Sequence, residues 1–426
     1  GRPTTDRRMM FAHLFPAGLH LPPVAVAAAE DCPVVLTDEA AITADRNEEL
    51  RVEPLVTEDA LVAQGQPLLR LRANPTIALV APMAGRVARI ELKPGRRLTR
   101  LVLFREGEHR HDYPHGPQDE TALRGLMQGA GLWRSLRSRP FGRMPDSGER
   151  PAAIFVMATD TRPGAPDPGT ALKGREEDFA MGLDALQRLT AGQVWLCVGK
   201  GRDLPVPAGV RRVQCGPLHP QGLAGIQIHH LHPARLDAPV WDIHAEDVAD
   251  LGGLLVTGLL AETRLVSVTG AALREPRLLR CQSGADLGGL GQGFVRPGPH
   301  RLFSGSALDG QQAHWLAPRD RQVTVLPGAA GADHRHWFGA ALRRAARPMP
   351  VIPTAALEQA LGGDIPAHAL IRALASGDPE AAARLGALSL LEEDLALADY
   401  ITGAVPRVSA QLRAVLQGIA TEEAAA

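Results

Sequence analysis

Ile77-Ala78-Leu79-Val80-Ala81-Pro82-Met83-Ala84-Gly85-Arg86-Val87-Ala88-Arg89-Ile90 is the stretch on which the reading of this chain turns. Two short apolar runs flank a Pro-Met-Ala-Gly turn. The same rhythm extends outward, with Leu61–Val62, Leu68–Leu71 and Leu101–Phe104 separated by Gly65-Gln66-Pro67 and Lys93-Pro94-Gly95. Strand-sized runs broken by turn residues every eight to twelve positions over residues 50–104 predict a small all-β unit.

The run Ala81–Val87 resembles the second half of a biotinyl/lipoyl-type barrel-sandwich domain. Carriers of that kind present a modifiable lysine on a hairpin about seven residues before the Ala-Pro pair. Here that count lands on Asn74, followed by Pro75, and Lys93 is the only lysine nearby. With no amine to acylate, the resemblance implies the carrier fold without the carrier chemistry.

Beyond a charged, His-rich linker at Glu106–Gln118, Thr121–Arg137 reads as a helix. Ala153–Met157 and Gln193–Val198 read as buried strands. Arg175–Leu189 lies between them with Phe179, Leu183, Leu186 and Leu189 at helical spacing, so an α/β layer with a parallel sheet is expected. Leu265–Thr269, Leu278–Cys281 and the Gly-rich run to Gln292 suggest a second small β module, and Val323–Leu326 reads as a later strand. Beyond Arg343 the chain reads as helical, at Ala355–Leu361, Ala367–Leu374, Pro379–Leu385 and Glu392–Ile401.

Composition narrows the function classes. The 426 residues need several cores, and a formal net charge of -1 gives no global field for nucleic acid or an anionic membrane. No apolar run reaches the roughly 20 residues that span a bilayer. His13, Pro16, His20, Pro22 and Pro23 interrupt the stretch after Arg7-Arg8 and argue against an export signal. Cys32, Cys197, Cys215 and Cys281 form no C-x-x-C pair and read as reduced, buried thiols.

Three glycine-containing stretches are candidate nucleotide grips: Gly199-Lys200-Gly201, Gly252-Gly253 and Gly284–Gly293. The first belongs to no P-loop pattern, and the last lacks a strand before it and a helix after it, so turns or close packing are the expected roles. His229, His230 and His232 read as strand residues on alternating faces, and they, His109/His111/His115 and His334/His336 read as solvated or capping rather than metal-binding. No nucleophile has a locally supported base. Gly131–Pro145 (GLWRSLRSRPFGRMP) mixes Trp133 and Phe141 with Arg134, Arg137, Arg139 and Arg143. That composition suits a binding hot spot, and equally a helix end whose Trp packs inward.

In order, Gly18–Pro22, the barrel-sandwich run, GLW…Arg137-x-Arg139-Pro140-Phe141, Ala153–Val156 with Asp160-Thr161, His219-Pro220 with Gly222-Leu223 and Gly225, Val240-Trp241, Gly284-Ala285 and Glu392–Leu397 resemble the A subunit of the sodium-translocating NADH:quinone oxidoreductase. The resemblance implies an α/β multi-domain protein: a barrel-sandwich hybrid domain at 11–110, a Rossmann-like domain at 111–255, a β-grasp soluble-ligand-binding domain at 256–335 and a helical region at 336–426. It implies a peripheral protein on the cytoplasmic face of the bacterial inner membrane, docked on a flavin-bearing membrane subunit, where it supports quinone reduction. NAD, flavins, iron–sulfur clusters and ubiquinone would then belong to partner subunits, and no cofactor or metal to this chain. Related flavin-bearing subunits use a Gly-rich loop where this chain has the bulky Gly131–Pro145. On that reading Trp133, Arg137, Arg139 and Phe141 are expected at the quinone-side or partner-docking surface. Asp399–Ala404 departs from the family's cysteine-containing run, and the stretch before Met349–Pro353 is shorter than usual. The alternative is a paralogue serving another membrane redox complex.

Overall fold

The computed structural model describes residues 17–30, 32–328, 353–404 and 406–425. The all-β unit forms as its turn rhythm predicts. Strands β1 (Glu39–Ile42), β7 (Arg97–Arg105), β6 (Gly85–Lys93) and β3 (Leu61–Val62) make one antiparallel sheet in that order. A second sheet has the order β2 (Val52–Pro54), β4 (Pro67–Leu71) and β5 (Ala78–Val80). Leu68, Leu79, Val87, Leu101 and Leu103 are fully enclosed in this unit's core. At Gly85 a Cβ would lie 2.2 Å from the Phe104 carbonyl oxygen, so only glycine fits where the Ala-Pro-Met-Ala turn enters β6. Asn74, at the carrier-lysine position, is tied down: its amide donates to Asp146 at 3.2 Å and its carbonyl accepts from Ser147 N–H at 3.0 Å.

The segment before the barrel strands runs along the other units. Leu19 exchanges backbone hydrogen bonds with His219, and Val35 N–H donates to the Arg280 carbonyl. Leu19 and Leu21 pack beside Ala307, Leu308 and Leu397.

In the α/β unit, α1 (Glu120–Gly129) leads to β8 (Arg137–Arg139), β9 (Ala153–Ala158), α2 (Pro168–Ala171) and α3 (Glu176–Leu186). These are followed by β10 (Gln193–Gly199), β11 (Arg211–Cys215), α4 (Ala224–Leu231), β12 (Val240–His244) and α5 (Ala245–Thr257). The sheet order is β11-β10-β9-β12-β8, with the first four strands parallel and β8 antiparallel. Side-chain alternation along β9 explains the two covered faces. Ile154 and Val156 join Phe179, Leu183 and Leu251 of α3 and α5, while Ala153, Phe155 and Met157 join Ala224 and Ile228 of α4. Gly252 is a packing glycine, because its Cβ would lie 1.7 Å from the Asp178 carbonyl oxygen.

Two expectations here need correction. The helix expected over Thr121–Arg137 stops at Gly129. Gly131 takes a left-handed φ of 77°, where a Cβ would meet the Val80 side chain at 2.9 Å. The chain then makes a short 3-10 turn at Leu132–Ser135 and runs back as the edge strand β8. His229 and His230 lie in the last turn of α4, not on a strand, because a short apolar run carries no decisive period.

The third unit contains β13 (Arg264–Thr269), β14 (Arg277–Cys281), α6 (Leu287–Gly291), β15 (His300–Ser304), β16 (Gln311–Gln312) and β17 (Gln322–Pro327). Its sheet order is β14-β13-β17-β15-β16, with β13 and β17 parallel. The run Gly284–Gly293 does follow a strand, β14, contrary to expectation, but the short helix α6 lies within it and strand β15 comes next, so no helix follows it. Asp286 caps that helix by accepting from Gly288 N–H at 3.0 Å. Gly284 packs against Ala41 of the barrel, consistent with close packing.

The tail holds α7 (Pro353–Ala360), α8 (Ala367–Ser376), α9 (Pro379–Arg384), α10 (Glu392–Thr402) and a further helix that the sequence pattern did not signal, α11 (Val408–Ala425). Leu370, Leu374, Leu395, Leu412 and Leu416 form its core. His334, His336 and the stretch from Arg343 to Ile352 lie outside the described residues.

Candidate functional site

A cleft of about 510 Å³ opens where all four units meet, at the carboxyl ends of β9 and β12. In parallel sheets this is the edge at which ligands collect, since the loops there are free to vary while the strands fix their bases. Asp160 and Arg162 follow β9, His244 ends β12, Asp45 and Arg46 come from the barrel, Asp309 and Asp320 from the third unit, and Glu393 from the tail. The walls carry nine carboxylate side chains and six arginines, an excess of three acidic groups.

Most of those charges are committed to one another. Arg137 spans two units, donating to both oxygens of Glu393 (2.9 and 2.5 Å) and both of Asp242 (3.2 Å each). Arg139 is fully buried; it donates to Asp242 and, at 2.9 Å, to the Ser389 carbonyl. Arg162 bridges Asp160 at 3.2 Å and Asp309 at 3.4 Å. Arg46 donates to Asp320 and to the carbonyls of Asp309 and Ser304. Arg413 of α11 pairs with Glu392 and donates to the Phe141 carbonyl at 2.9 Å. Burial alone would raise Glu393 and Asp242. The guanidiniums of Arg137 and its neighbours outweigh it and hold both carboxyls below the usual range.

His244 lines the cleft and His219 contacts Thr161 beyond β9; burial disfavours the charged form of both. The Nδ1 of His244 accepts from Glu246 N–H at 3.1 Å, which caps α5 and leaves the proton on Nε2; burial and Arg321 hold its pKa well down. Burial, with Arg162 adding to it, pushes His219 down to about 4; its Nδ1 lies 3.1 Å from both the Thr161 carbonyl and hydroxyl.

The four residues singled out from the sequence are only partly assembled here. Arg137 lines the cleft, and Phe141 is half-buried against the helical tail with Arg143 4.9 Å above its ring. Arg139 and Trp133 have no exposed surface, so neither can itself be docking surface. Trp133 donates from Nε1 to the Pro145 carbonyl at 2.8 Å and meets Trp241 edge-on at 5.4 Å. Sequence reasoning missed Asp242 and the roles of Glu393, Asp394 and Arg162. One signal was available: an aspartate inside the apolar strand Val240–His244 must be paired if buried.

Among the described residues no cluster of His, Cys, Asp or Glu is suited to a metal ion, and no helix is long and apolar enough to cross a membrane. The cysteines are free; Cys197, Cys215 and Cys281 are buried and Cys32 is half-buried.

Comparison with known proteins places these units. Residues 16–106 match the NqrA N-terminal barrel-sandwich hybrid domain, 118–260 the NqrA second alpha/beta domain and 265–314 the NQRA C-terminal domain. The chain is 33% identical over 383 residues to the A subunit of the Na(+)-translocating NADH-quinone reductase of Alcanivorax borkumensis, covering 81% of this chain and 85% of that one. It is 32% identical over 421 residues to the corresponding protein of Histophilus somni, covering 90% and 94%. Among solved structures, NAD+-reducing [NiFe]-hydrogenase in its air-oxidized state aligns at a TM-score of 0.39 and 13% identity. That alignment covers 70% of this chain and 63% of the other, too slight a likeness to bear on function. With identity sustained from barrel to tail, the chain belongs to the NqrA family.

Proposed function

We propose that this chain is the peripheral A subunit of a sodium-translocating NADH:quinone oxidoreductase, and that it supports quinone reduction while carrying no redox centre itself. It docks on the flavin-bearing membrane subunit from the cytoplasmic face of the bacterial inner membrane. NAD, flavins, iron–sulfur clusters and ubiquinone are handled by the other subunits. The observation that carries this reading is family membership along three consecutive units. The cleft supports the cofactor-free part. An excess of carboxylates at the strand ends repels a nucleotide phosphate, where a phosphate site would offer unpaired backbone N–H groups and cations. We further assign a barrel-sandwich domain to 11–110, a Rossmann-like domain to 111–255, a β-grasp soluble-ligand-binding domain to 256–335 and a helical domain to 336–426.

Phe141 and Arg137, partly exposed beside the tail, are the proposed docking or quinone-side contacts, with Trp133 and Arg139 supporting them from within. Membranes stripped of this chain are expected to lose NADH-driven ubiquinone reduction and to regain it when the purified chain is added back. Phe141→Ala is expected to restore it poorly. Full turnover without the chain would overturn the function, and full restoration by Phe141→Ala would remove that residue's role.

A second reading, a paralogue serving another membrane redox complex, is favoured by one feature. In Asp399–Ala404, Asp399 is buried and accepts from both N–H and Oγ of Ser409, fixing the start of α11. This part of the tail is built on a carboxylate cap.

A further inference from the structure

Behind the cleft wall lies a buried charge cluster that does not balance. Three carboxylates, Asp242 of β12 and Glu393 and Asp394 of α10, face two guanidiniums, Arg137 and Arg139 of β8. The first two carboxylates take the hydrogen bonds. Asp394 is left 4.0 Å from Arg139 Nη2, beyond hydrogen-bond reach; that Nη2 also lies 3.8 Å from Glu393 and makes no hydrogen bond. Asp394 is 1% exposed; its Oδ2 accepts from Leu391 N–H at 2.8 Å and its Oδ1 has no partner. The carboxyl is pressed on Gly225 in the first turn of α4, where a Cβ would lie 2.1 Å from Oδ2. It therefore sits in the seam between the tail and the α/β unit, under the helix whose residues Glu392, Glu393 and Ala396 line the cleft.

We propose that Asp394 is a proton-linked latch: with a proton on its carboxyl the tail seats on α4, and release of that proton to solvent loosens the seat and the cleft wall with it. Ionisation would leave three buried negative charges against two positive ones, and an unpaired buried charge is strongly unfavourable. From α4 it is Gly225 that meets the carboxyl, and His229, the titratable side chain one turn on, is held below its usual range by burial. Arg162, Asp160 and Asp309 act at longer range through Glu393. Burial raises the Asp394 carboxyl to about 7; Arg139 opposes the rise and Glu393 adds to it. A carboxyl raised on folding contributes stability that is complete at acidic pH and lost as pH climbs through that value.

The test is amide hydrogen exchange of Glu392–Thr402 in the full chain, corrected for the intrinsic pH dependence of exchange. Wild type is expected to open about tenfold or more as pH rises from about 5 to about 8. Asp394→Asn is expected to remove that rise. Asp250, on α5 and paired with Arg175 at 2.8 Å, is also raised to about 7 by burial and Glu246, so Asp250→Asn serves as the control and should keep the rise. Should Asp394→Asn fail to fold, infrared spectra of Asp250→Asn should still show the carbonyl stretch of a protonated carboxyl at about pH 6, gone by about pH 8. A pH-independent opening in wild type, a rise that survives Asp394→Asn, or absence of that stretch would overturn the latch.

Discussion

Arg139→Ala is expected to destabilise the chain by about 3–5 kcal/mol and to free the tail from the α/β unit. The guanidinium is wholly enclosed, and its partners are Asp242 and the Ser389 carbonyl. Removing it leaves Asp242 with Arg137 alone and Asp394 facing Glu393 with only the weaker pull of Arg137. The desolvation cost of those carboxylates stays while part of the attraction goes. Urea denaturation should show the loss, and limited proteolysis should cut first between the α/β unit and α10. An unfolding free energy within about 1 kcal/mol of wild type would show that the cluster is not holding the units together.

Trp133→Ala is expected to cost a similar amount, about 3–5 kcal/mol, by a different route. The ring is fully buried, edge-on to Trp241, with Arg124 5.5 Å from its centroid, and its N–H is satisfied by Pro145. Truncation opens a cavity beneath α1 and orphans a carbonyl. Thermal unfolding of the isolated chain reads this directly. An unchanged melting temperature combined with lost turnover would instead return Trp133 to a contact role and contradict its burial.

These two residues mark what the sequence could and could not tell. The barrel was legible because its turns recur at fixed spacing and its apolar runs are strand-sized. The faces of β9 and α3 were legible because side-chain period follows backbone geometry. Burial of Trp133 and Arg139 was not legible, since an aromatic–arginine segment looks the same whether it faces a partner or a core. The ion-pair cluster could not be seen for a simpler reason. Arg139 and Asp242 are 103 positions apart, and Arg137 and Glu393 are 256 apart. No local pattern joins them; only the path of the chain through four units does. The misread helix over Thr121–Arg137 has a local cause, a left-handed Gly131 followed by an edge strand too short to show alternation.

The same cluster connects stability with the proposed role. Arg137 and Glu393 line the cleft while also holding the tail in place. A partner touching Phe141 or Arg137 would therefore press on the seam that Arg139 and Asp394 control from behind.

Affinity purification of the tagged chain from gently solubilised membranes tests the central claim most directly. Recovery of the flavin-bearing membrane subunit together with the NADH-oxidising subunit is the predicted result. Recovery of a different membrane complex, or of the chain alone under conditions that keep the pump intact, would contradict it.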